Sequence, residues 1–455
     1  MTRIAVITPD VLSEQMAGPA IRAFHIAEQL SAHHDVTLIS TARCDISRGA
    51  FECRYAPWAS LRAAVGATEV VIFQGFVSYH APWLLRSDKI LVVDLYDPIH
   101  LEQLEQLKDR DPLERRATHD LTVRVMNEQL VRGDFFLCAS EEQRHLWLGQ
   151  LAAFGRVSPE NYDPDPSLRS LLAVCPFGTP DTPPVQMRHA IKGTVPGIGP
   201  QDKVILWAGG VYNWFDPLTL IRAVHRLAAE HNDVRLFFLG MKHPNPDVPD
   251  MQIAWQTRQL SDELGLTGKQ VFFNEGWVDY DDRQNYLLDA DVGVSTHYEH
   301  VETTFSFRTR ILDYLWAGLP VVATGGDTFG RLIATEGLGV SVRERDVDVL
   351  ADALARTLYD GQFEAQCRAN VARVRPEFTW PRTLAPLIDF CAHPARAADA
   401  GEDVRRFVRT PLPPANPLRR ETLRVMTLLR QGGIRLVATR IVARVKRLRR
   451  ERRPN

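Results

Sequence analysis

The sequence has few cysteines and no long apolar run, and each shortage excludes a class of protein. The six cysteines among 455 residues are scattered without any Cys-x-x-Cys spacing, which favours buried free thiols over disulfides or metal ligation. No run approaches the roughly 18 apolar residues of a membrane-spanning helix, so we do not expect an integral membrane protein. The first apolar run, residues 3–8, is also too short for a signal peptide. We therefore expect a cytoplasmic protein.

Net charge is also small, but its distribution is uneven. The formal net charge is -2. From Arg396 onward the chain has 17 Lys and Arg against 5 Asp and Glu, whereas the first 395 residues have 37 against 51. The body and the tail are therefore expected to meet different partners.

Short apolar runs alternate with helical patterns along most of the chain. The runs lie at 3–8, 35–40, 69–73, 89–94, 135–138 and 172–175, and again near 203–208, 234–239, 270–273, 291–294, 319–323 and 338–342. This rhythm is typical of doubly wound parallel sheets. A passage rich in Pro, Gly and Asp over residues 176–200 predicts a linker. We therefore expect an α/β protein with two Rossmann-like domains, residues 1–180 and 198–375, facing each other across a cleft.

A glycine-bearing turn follows the first strand of each predicted domain. Gly18 permits close approach of a ligand, and the helix that follows it, with Arg22, would aim free N–H groups at an anion. The alternative is a plain turn with Arg22 in solvent. Gly209 and Gly210 lie where backbone comes near a phosphate or sugar, with Asn213 close behind. The alternative there is a tight turn without a ligand.

Two later loops carry further candidates for substrate contact. Trp277 follows the apolar run at 270–273 and is expected to stack on a base, with a place in the core as the alternative. His297 and His300 follow the run at 291–294, but they have no third ligand at a metal-binding spacing. We therefore expect hydrogen bonds from this loop to substrate hydroxyls and no metal site.

The most informative segment runs from Glu302 to Val322. Thr304 and Ser306 give it a hydroxyl-rich turn, which precedes a helix predicted to begin near residue 306 or 307. First-turn N–H groups and the Ser306 hydroxyl would receive phosphate oxygens, with Arg308 or Arg310 supplying charge. Asp313 lies three residues after Arg310, so a structural bridge between the two is the alternative.

Part of this segment resembles a known family. Residues 313–322, Asp-Tyr-Leu-Trp-Ala-Gly-Leu-Pro-Val-Val, are similar to the E-A-M-A-x-G-x-P-V-V signature of GT-B glycosyltransferases, particularly the retaining family 4. At the level of the fold the resemblance covers residues 3–390. It implies transfer of a sugar from a nucleoside-diphosphate donor bound mainly by the second domain. Asp313 would match the glutamate that holds the ribose hydroxyls. Glu302 would stand for the glutamate that contacts the donor sugar, although it lies further ahead of Asp313 than in the family.

The chain departs from the family at the diphosphate. The family's Arg and Lys after the glycine turn are replaced by Asn-Trp-Phe-Asp at residues 213–216, which makes Arg308 and Arg310 the natural substitutes. Because basic side chains and helix dipoles then neutralise the leaving group, the resemblance implies a reaction without metal or other cofactor. It also implies that residues 376–395 form a helix that crosses back to the first domain.

Two aspartates end a first-domain strand that faces the predicted cleft. In the front-face reaction usually described for this family, the leaving phosphate takes the acceptor's proton, so Asp94 and Asp97 need only orient the acceptor hydroxyl. A capping role before Pro98 is the alternative for Asp97. We group Asp94 with the catalytic candidates, and Asp97 with His297 as acceptor-binding candidates.

The tail, residues 396–455, has its own pattern. Residues 434–450 place apolar side chains on one helical face and Arg and Lys on the other. Such a basic amphipathic helix suits an anionic membrane surface, with a solvated or helix-pairing tail as the alternative. The arginines lack a nucleic-acid-reading motif, so no nucleic-acid partner is expected. We predict a peripheral protein at the inner face of the cell membrane.

The sequence thus predicts a retaining glycosyltransferase that acts on a lipid-linked or cell-surface polysaccharide acceptor. Two alternatives come from other classes. One is a nucleotide-sugar epimerase on the same fold, and the other is a catalytically silent nucleotide-sugar-binding module.

Overall fold

The fold consists of two parallel β-sheets flanked by helices. It is given by a computed structural model that describes residues 1–47, 49–241, 251–276, 278–400 and 425–426. The strands of the first sheet are β1 Arg3–Thr8, β2 Asp35–Ser40, β3 Glu52–Tyr55, β4 Val70–Gln74, β5 Ile90–Asp94, β6 Phe135–Cys138 and β7 Leu172–Val174. Those of the second are β8 Lys203–Trp207, β9 Val234–Phe238, β10 Val271–Phe273, β11 Val292–Ser295, β12 Val321–Thr324 and β13 Gly339–Val342.

Helices cover the faces of both sheets. In the first domain they are α1 Gly18–Ser31, α2 Leu61–Ala64, α3 Val77–His80, α4 Ile99–Gln106, α5 Pro112–Arg132, α6 Glu141–Ala153 and α7 Pro159–Tyr162. In the second they are α8 Pro217–Ala228, α9 Gln252–Glu263, α10 Arg283–Leu288, α11 Val301–Phe305, α12 Thr309–Trp316, α13 Thr328–Glu336, α14 Val347–Tyr359 and α15 Gly361–Val374. The chain continues into α16 Trp380–Thr383 and α17 Ala385–Ala392, and short 3₁₀ turns lie at Leu84–Arg86 and Arg375–Phe378.

The central strands are apolar because helices cover both of their faces. β4 and β6, for example, are buried along their whole length, as expected for interior strands of a parallel sheet. β3 is different, because it lies at the sheet edge with the sequence Glu-Cys-Arg-Tyr and no buried residue. The sequence prediction missed this strand for that reason. The predicted α/β class with two Rossmann-like domains is confirmed.

The strand order reverses once in each sheet, and these points position the site. The orders are β3-β2-β1-β4-β5-β6-β7 and β10-β9-β8-β11-β12-β13, with every pair parallel. Ligands of open parallel sheets bind where the order reverses, beyond the carboxyl ends of the strands. In this fold the strand order reverses between β1 and β4 in the first sheet and between β8 and β11 in the second. Gly18 begins α1, directly after the loop that follows β1, and Gly209 lies in the loop after β8.

Residues after the second domain pack on the first. The Trp380 ring stacks on His25 of α1 at 4.5 Å and lies 4.7 Å from the Phe177 ring. The Phe390 ring stacks on Phe135 of β6 at 4.2 Å. A Cβ atom at Gly178 would come within 2.6 Å of the Trp380 ring, so this contact requires glycine. The first domain's core is thus completed by residues 380–391.

The two domains also touch along the rim of the cleft. The Gln143 amide, fully buried, donates to the Tyr96 carbonyl in its own domain and to the Phe305 carbonyl in the other, both at 2.8 Å. The Thr328 hydroxyl donates to Glu142 at 2.6 Å, again between domains. These bonds hold the loop after β5 close to the end of α11.

Candidate active site

A cavity of about 460 Å³ lies between the carboxyl ends of the two sheets. Nine of the residues predicted from sequence line it. They are Gly18, Asp97, Gly209, Gly210, Glu302, Ser306, Arg308, Arg310 and Asp313. The cavity therefore joins the first-domain loops to the segment from Glu302 onward.

Helix α12 forms one wall of this cavity and is fixed firmly to the sheet. The Tyr314 hydroxyl accepts from the Ala208 N–H at 2.8 Å and lies 2.9 Å from the carbonyls of Leu206 and Val294. Its ring covers Gly293, where a Cβ atom would come within 2.3 Å. Arg310 and Asp313, which flank Tyr314 on the same side of the helix, line the cavity. The helix begins at Thr309, a little later than predicted.

Arg310 is a buried cation with an incomplete set of partners. Its Nη2 donates to the Gly210 carbonyl at 2.8 Å, and its guanidinium lies over the rings of Phe215 at 4.0 Å and Trp207 at 4.5 Å. Nη1 is buried without a hydrogen-bond partner, and Arg310 makes no salt bridge to any described residue. Burial lowers the pKa of Arg310 to about 10, so it remains charged at neutral pH. An anion in the cavity would complete its coordination.

Arg308 and Glu302 form a second, paired group beside it. Arg308 Nη2 donates to Glu302 Oε2 at 3.3 Å, and Nε lies 3.5 Å from Asp327 Oδ2. His300 Nδ1 lies 3.7 Å from the same Glu302 oxygen. Arg308 is therefore largely neutralised by acids, whereas Arg310 is not.

Asp313 pairs with a residue that the sequence prediction missed. Its Oδ1 accepts from Arg283 Nε at 3.1 Å, so the alternative of a bridge to Arg310 is wrong. The Arg283 guanidinium lies between the rings of Tyr280 at 3.4 Å and Trp316 at 4.7 Å. Arg283 lies 30 residues before Asp313, beyond any local spacing rule, so no sequence signal marked it.

A carboxyl pair forms the first-domain wall of the cavity. Asp97 and Glu102 line it and hydrogen-bond through their side chains. Burial raises the pKa of Asp97 to about 6, and burial with the neighbouring Asp97 raises that of Glu102 well above its usual value. A hydrogen bond between two carboxyl groups needs at least one proton, and the raised pKa values let the pair keep one near neutral pH. Glu102, on α4, was not predicted, since only folding brings its carboxyl to Asp97.

The assignments of Arg22 and Asp94 must be corrected. Arg22 is fully buried and donates from Nε to Asp94 Oδ2 at 2.6 Å and from Nη2 to Asp94 Oδ1 at 2.9 Å. It also donates to the carbonyls of Cys175 at 2.9 Å and Pro176 at 3.1 Å. Neither residue lines the cavity. Arg22 therefore neither binds the sugar donor nor lies in solvent. Both carboxylate oxygens of Asp94 accept hydrogen bonds from Arg22, so the pair is structural.

Three other predicted contacts lie away from this cavity. His297 is buried and its Nε2 lies 3.0 Å from the Gly325 carbonyl; burial lowers its pKa well below the usual value, so it is neutral and structural. Thr304 is exposed on the outer side of α11 and bonds to the His300 carbonyl. Asn213 lines a neighbouring polar cavity of about 370 Å³. Trp277 lies outside the described residues.

The described part of the chain has neither a cluster of metal ligands nor a membrane-spanning helix. The described residues contain no group of three His, Cys, Asp or Glu side chains placed to hold a metal ion. No helix among them is long and apolar enough to cross a membrane. The predicted tail helix at 434–450 lies outside the described residues.

Comparison with known proteins adds a family and a fold. Residues 202–360 match the family described as "Glycosyl transferases group 1". Sucrose-phosphate synthase from Thermosynechococcus elongatus has a TM-score of 0.62 and 18% identity, over 86% of this chain and 98% of that one. Anabaena Alr3699/HepE in complex with UDP-glucose has a TM-score of 0.59 and 14% identity, over 86% and 100%. Comparison with curated protein sequences gives no match.

A third structure is WaaG, a glycosyltransferase involved in lipopolysaccharide biosynthesis. It has a TM-score of 0.60 and 16% identity, over 87% of this chain and 98% of that one. At such identities these structures establish the shared fold. Residues 202–360, in the second domain, are thus similar to the group 1 glycosyltransferase family, and the whole chain shares the two-domain GT-B fold of these structures.

Proposed function

We propose that this enzyme transfers a sugar, with retention of configuration and without a metal ion, from a nucleoside-diphosphate sugar to a lipid-linked or cell-surface glycan. The observation that carries the donor half of the proposal is Arg310. It is a buried guanidinium with an unpartnered Nη1, held over two aromatic rings at the start of α12.

The energetics favour an anionic ligand at Arg310. A buried charge without a partner costs several kcal/mol. Stacking on Phe215 and Trp207 recovers only about 0.5–2 kcal/mol. A phosphate oxygen would accept from Nη1, while the free N–H groups of the first turn of α12 add a second source of positive potential. Arg310 thus supplies the cation that the Asn-Trp-Phe-Asp sequence after Gly210 lacks.

The geometry supports a donor that extends from Arg310 along α12. Asp313 lies one turn further and opens to the same cavity, where its carboxylate would accept from ribose hydroxyls. Glu302, on the other side of Arg310, would contact the sugar. Charge developing on the leaving diphosphate is then met by fixed cations, which accelerates bond cleavage without a metal.

The acceptor would enter from the first domain. The shared-proton pair of Asp97 and Glu102 faces Glu302 across the cavity and suits a hydroxyl group, which both donates and accepts. An acceptor from the cell envelope is supported by the fold likeness to WaaG, whose role is in lipopolysaccharide biosynthesis, and by the basic pattern at residues 434–450.

A donor panel tests the reaction. The full chain is incubated with UDP-, GDP- and ADP-sugars without acceptor, and released nucleotide and sugar are measured. We expect slow release of nucleoside diphosphate from one donor, with the anomeric configuration of the freed sugar retained. Isomerised nucleotide sugar would instead identify an epimerase, and no turnover with intact binding would identify a binding module. Activity that chelators abolish and divalent ions restore would refute metal independence.

Substitutions at Arg310 test the site. Arg310→Ala is expected to weaken binding of the nucleoside diphosphate about 10- to 100-fold, the value of a charge-assisted hydrogen bond of about 1.5–3 kcal/mol. Arg310→Lys should retain part of that affinity, since it keeps the charge without the planar fork. The control is Arg373→Ala, which removes an exposed arginine paired with Glu336 at 2.9 Å. If wild type and Arg310→Ala bound the nucleoside diphosphate with equal affinity, the assignment of Arg310 to the diphosphate site would be refuted.

Membrane binding is tested separately by flotation with anionic liposomes. The full chain should float with the vesicles, and a chain ending at Pro413 should stay in the dense fraction. This truncation keeps Asp399, which pairs with the buried Arg156. Equal behaviour of the two chains would refute the membrane role and leave the donor site untouched.

A further inference from the structure

Arg283 lines the same cavity and holds the Asp313 carboxylate. Its Nε donates to Asp313 Oδ1 at 3.1 Å, and its Nη1 donates to the Tyr280 carbonyl. One oxygen of Asp313 is thereby occupied, while its side chain remains 31% exposed to the cavity. The carboxylate is thus fixed at one oxygen and free at the other.

Arg283 is itself immobilised by two aromatic rings. The guanidinium carbon lies 3.4 Å from the ring centroid of Tyr280 and 4.7 Å from that of Trp316. Trp316 is anchored in turn, because its indole N–H donates to the Thr182 carbonyl at 2.8 Å. A guanidinium packed between two rings and bonded at two sites has little rotamer freedom left to lose on ligand binding.

Asp313 lies close to Arg310 in the cavity wall. The two side chains are three residues apart on α12, so their Cα atoms are separated by about 4.5 Å along the helix axis. In the donor placement proposed above, with the diphosphate at Arg310, the ring beside Asp313 is the ribose. Neighbouring hydroxyls on that ring are donors that suit a carboxylate oxygen already fixed in orientation.

We propose that Arg283 is a positioning residue that sets selectivity for ribose, by orienting Asp313 to accept from the two ribose hydroxyls. This rests on the proposed nucleotide-sugar function. Without Arg283 the carboxylate would turn toward Tyr280 or into solvent, and its hydrogen bonds to the sugar would be lost while the diphosphate contacts at Arg310 remain.

The ribose and diphosphate contacts are separated by calorimetry with three probes, which are UDP, 2′,3′-dideoxy-UDP and inorganic pyrophosphate. If UDP does not bind, GDP and its dideoxy analogue are used in the same way. Wild type should bind the ribonucleotide at least tenfold more tightly than its dideoxy analogue. Arg283→Gln should lose about tenfold in affinity for the ribonucleotide. Its affinity for the dideoxy analogue and for pyrophosphate should not change.

Two further variants keep the inference falsifiable if Arg283→Gln folds poorly. Asp313→Asn should give the same selective loss, and adding Arg283→Gln to it should cause no further loss, because the two act as a unit. Arg283→Lys should not restore selectivity, since lysine cannot lie between two rings as a planar group. The matched control is Arg258→Gln, which removes an arginine that lies 4.7 Å over Phe273 and pairs with Glu275 at 2.7 Å, away from the cavity lining.

The outcomes distinguish the two proposals. If wild type binds neither nucleotides nor pyrophosphate, the proposed function itself fails. If wild type binds all probes and Arg283→Gln loses affinity equally for all three, or for none, the donor site stands and the role of Arg283 is overturned. Additive losses in the double variant would also overturn it.

Discussion

The ion pair of Arg22 and Asp94 offers a decisive test of whether Asp94 serves the reaction or the fold. Both side chains are buried, with exposed fractions of 0% and 3%, and two hydrogen bonds of 2.6 and 2.9 Å join them. Asp94→Asn keeps the shape but removes the charge that balances Arg22. Breaking a buried pair from one side costs about 3–5 kcal/mol, because the remaining charge is left uncompensated.

The assay is urea unfolding, followed by a first-domain signal and by nucleotide binding. Since m for urea is about 1–3 kcal/mol/M, a loss of this size lowers the unfolding midpoint by at least about 1 M. The control is Asp120→Asn, which breaks the exposed pair with Arg116, whose side chains are 42% and 77% exposed. It should cost no more than about 0.5 kcal/mol.

Rescue sharpens the test. Arg22→Met combined with Asp94→Leu removes both charges and should recover much of the stability lost in Asp94→Asn. Nucleotide affinity should be normal in every variant that remains folded, because neither residue lines the cavity. An Asp94→Asn enzyme of unchanged stability but without transfer activity would refute the structural role and restore Asp94 as a catalytic group.

Two other predictions concern pH and packing. Burial raises the pKa of Asp97 from its ordinary 3.8 to about 6, so the folded state holds this proton more tightly, and the contribution of Asp97 to the free energy of unfolding falls as pH rises from about 4 to about 6. The pH dependence of the urea midpoint over that range should lack this contribution in Asp97→Asn and should match the wild type in Asp163→Asn, which changes an exposed residue. A pH dependence in Asp97→Asn equal to that of the wild type contradicts the prediction. Gly293→Ala would place a Cβ atom 2.3 Å from the Tyr314 ring, so we expect destabilisation by about 1–3 kcal/mol and weaker nucleotide binding. A normal melting curve and normal affinity would show that α12 is not fixed there.

The fold could be predicted because interior strands of parallel sheets are recognisable in the sequence as continuous apolar runs. β4 and β6 are covered on both faces, so they are continuous apolar runs, and glycines mark the turns that follow β1 and β8. Edge strand β3 has no such apolar run, since its side chains are at least partly exposed.

The candidate site was only partly predictable, because local spacing identifies residues but not their partners. Arg310 and Asp313 were found as members of one helix. Their partners come from elsewhere in the chain. Arg310 donates to the Gly210 carbonyl, and Asp313 accepts from Arg283. Asp94 failed as a prediction for the same reason, since Arg22 lies 72 residues away. Only the tertiary structure decides which charges neutralise one another.

The stacking of Trp380 on α1 has a consequence for biogenesis. The first domain's polypeptide leaves the ribosome early, but the residues that complete its core are translated after the whole second domain. At about 5–20 residues per second, the roughly 200 intervening residues take about 10–40 s to synthesise. During that interval Phe135 and the His25 face of α1 lack the rings that cover them in the finished enzyme. Nascent chains of this enzyme should therefore depend on holding chaperones until residues 380–391 emerge.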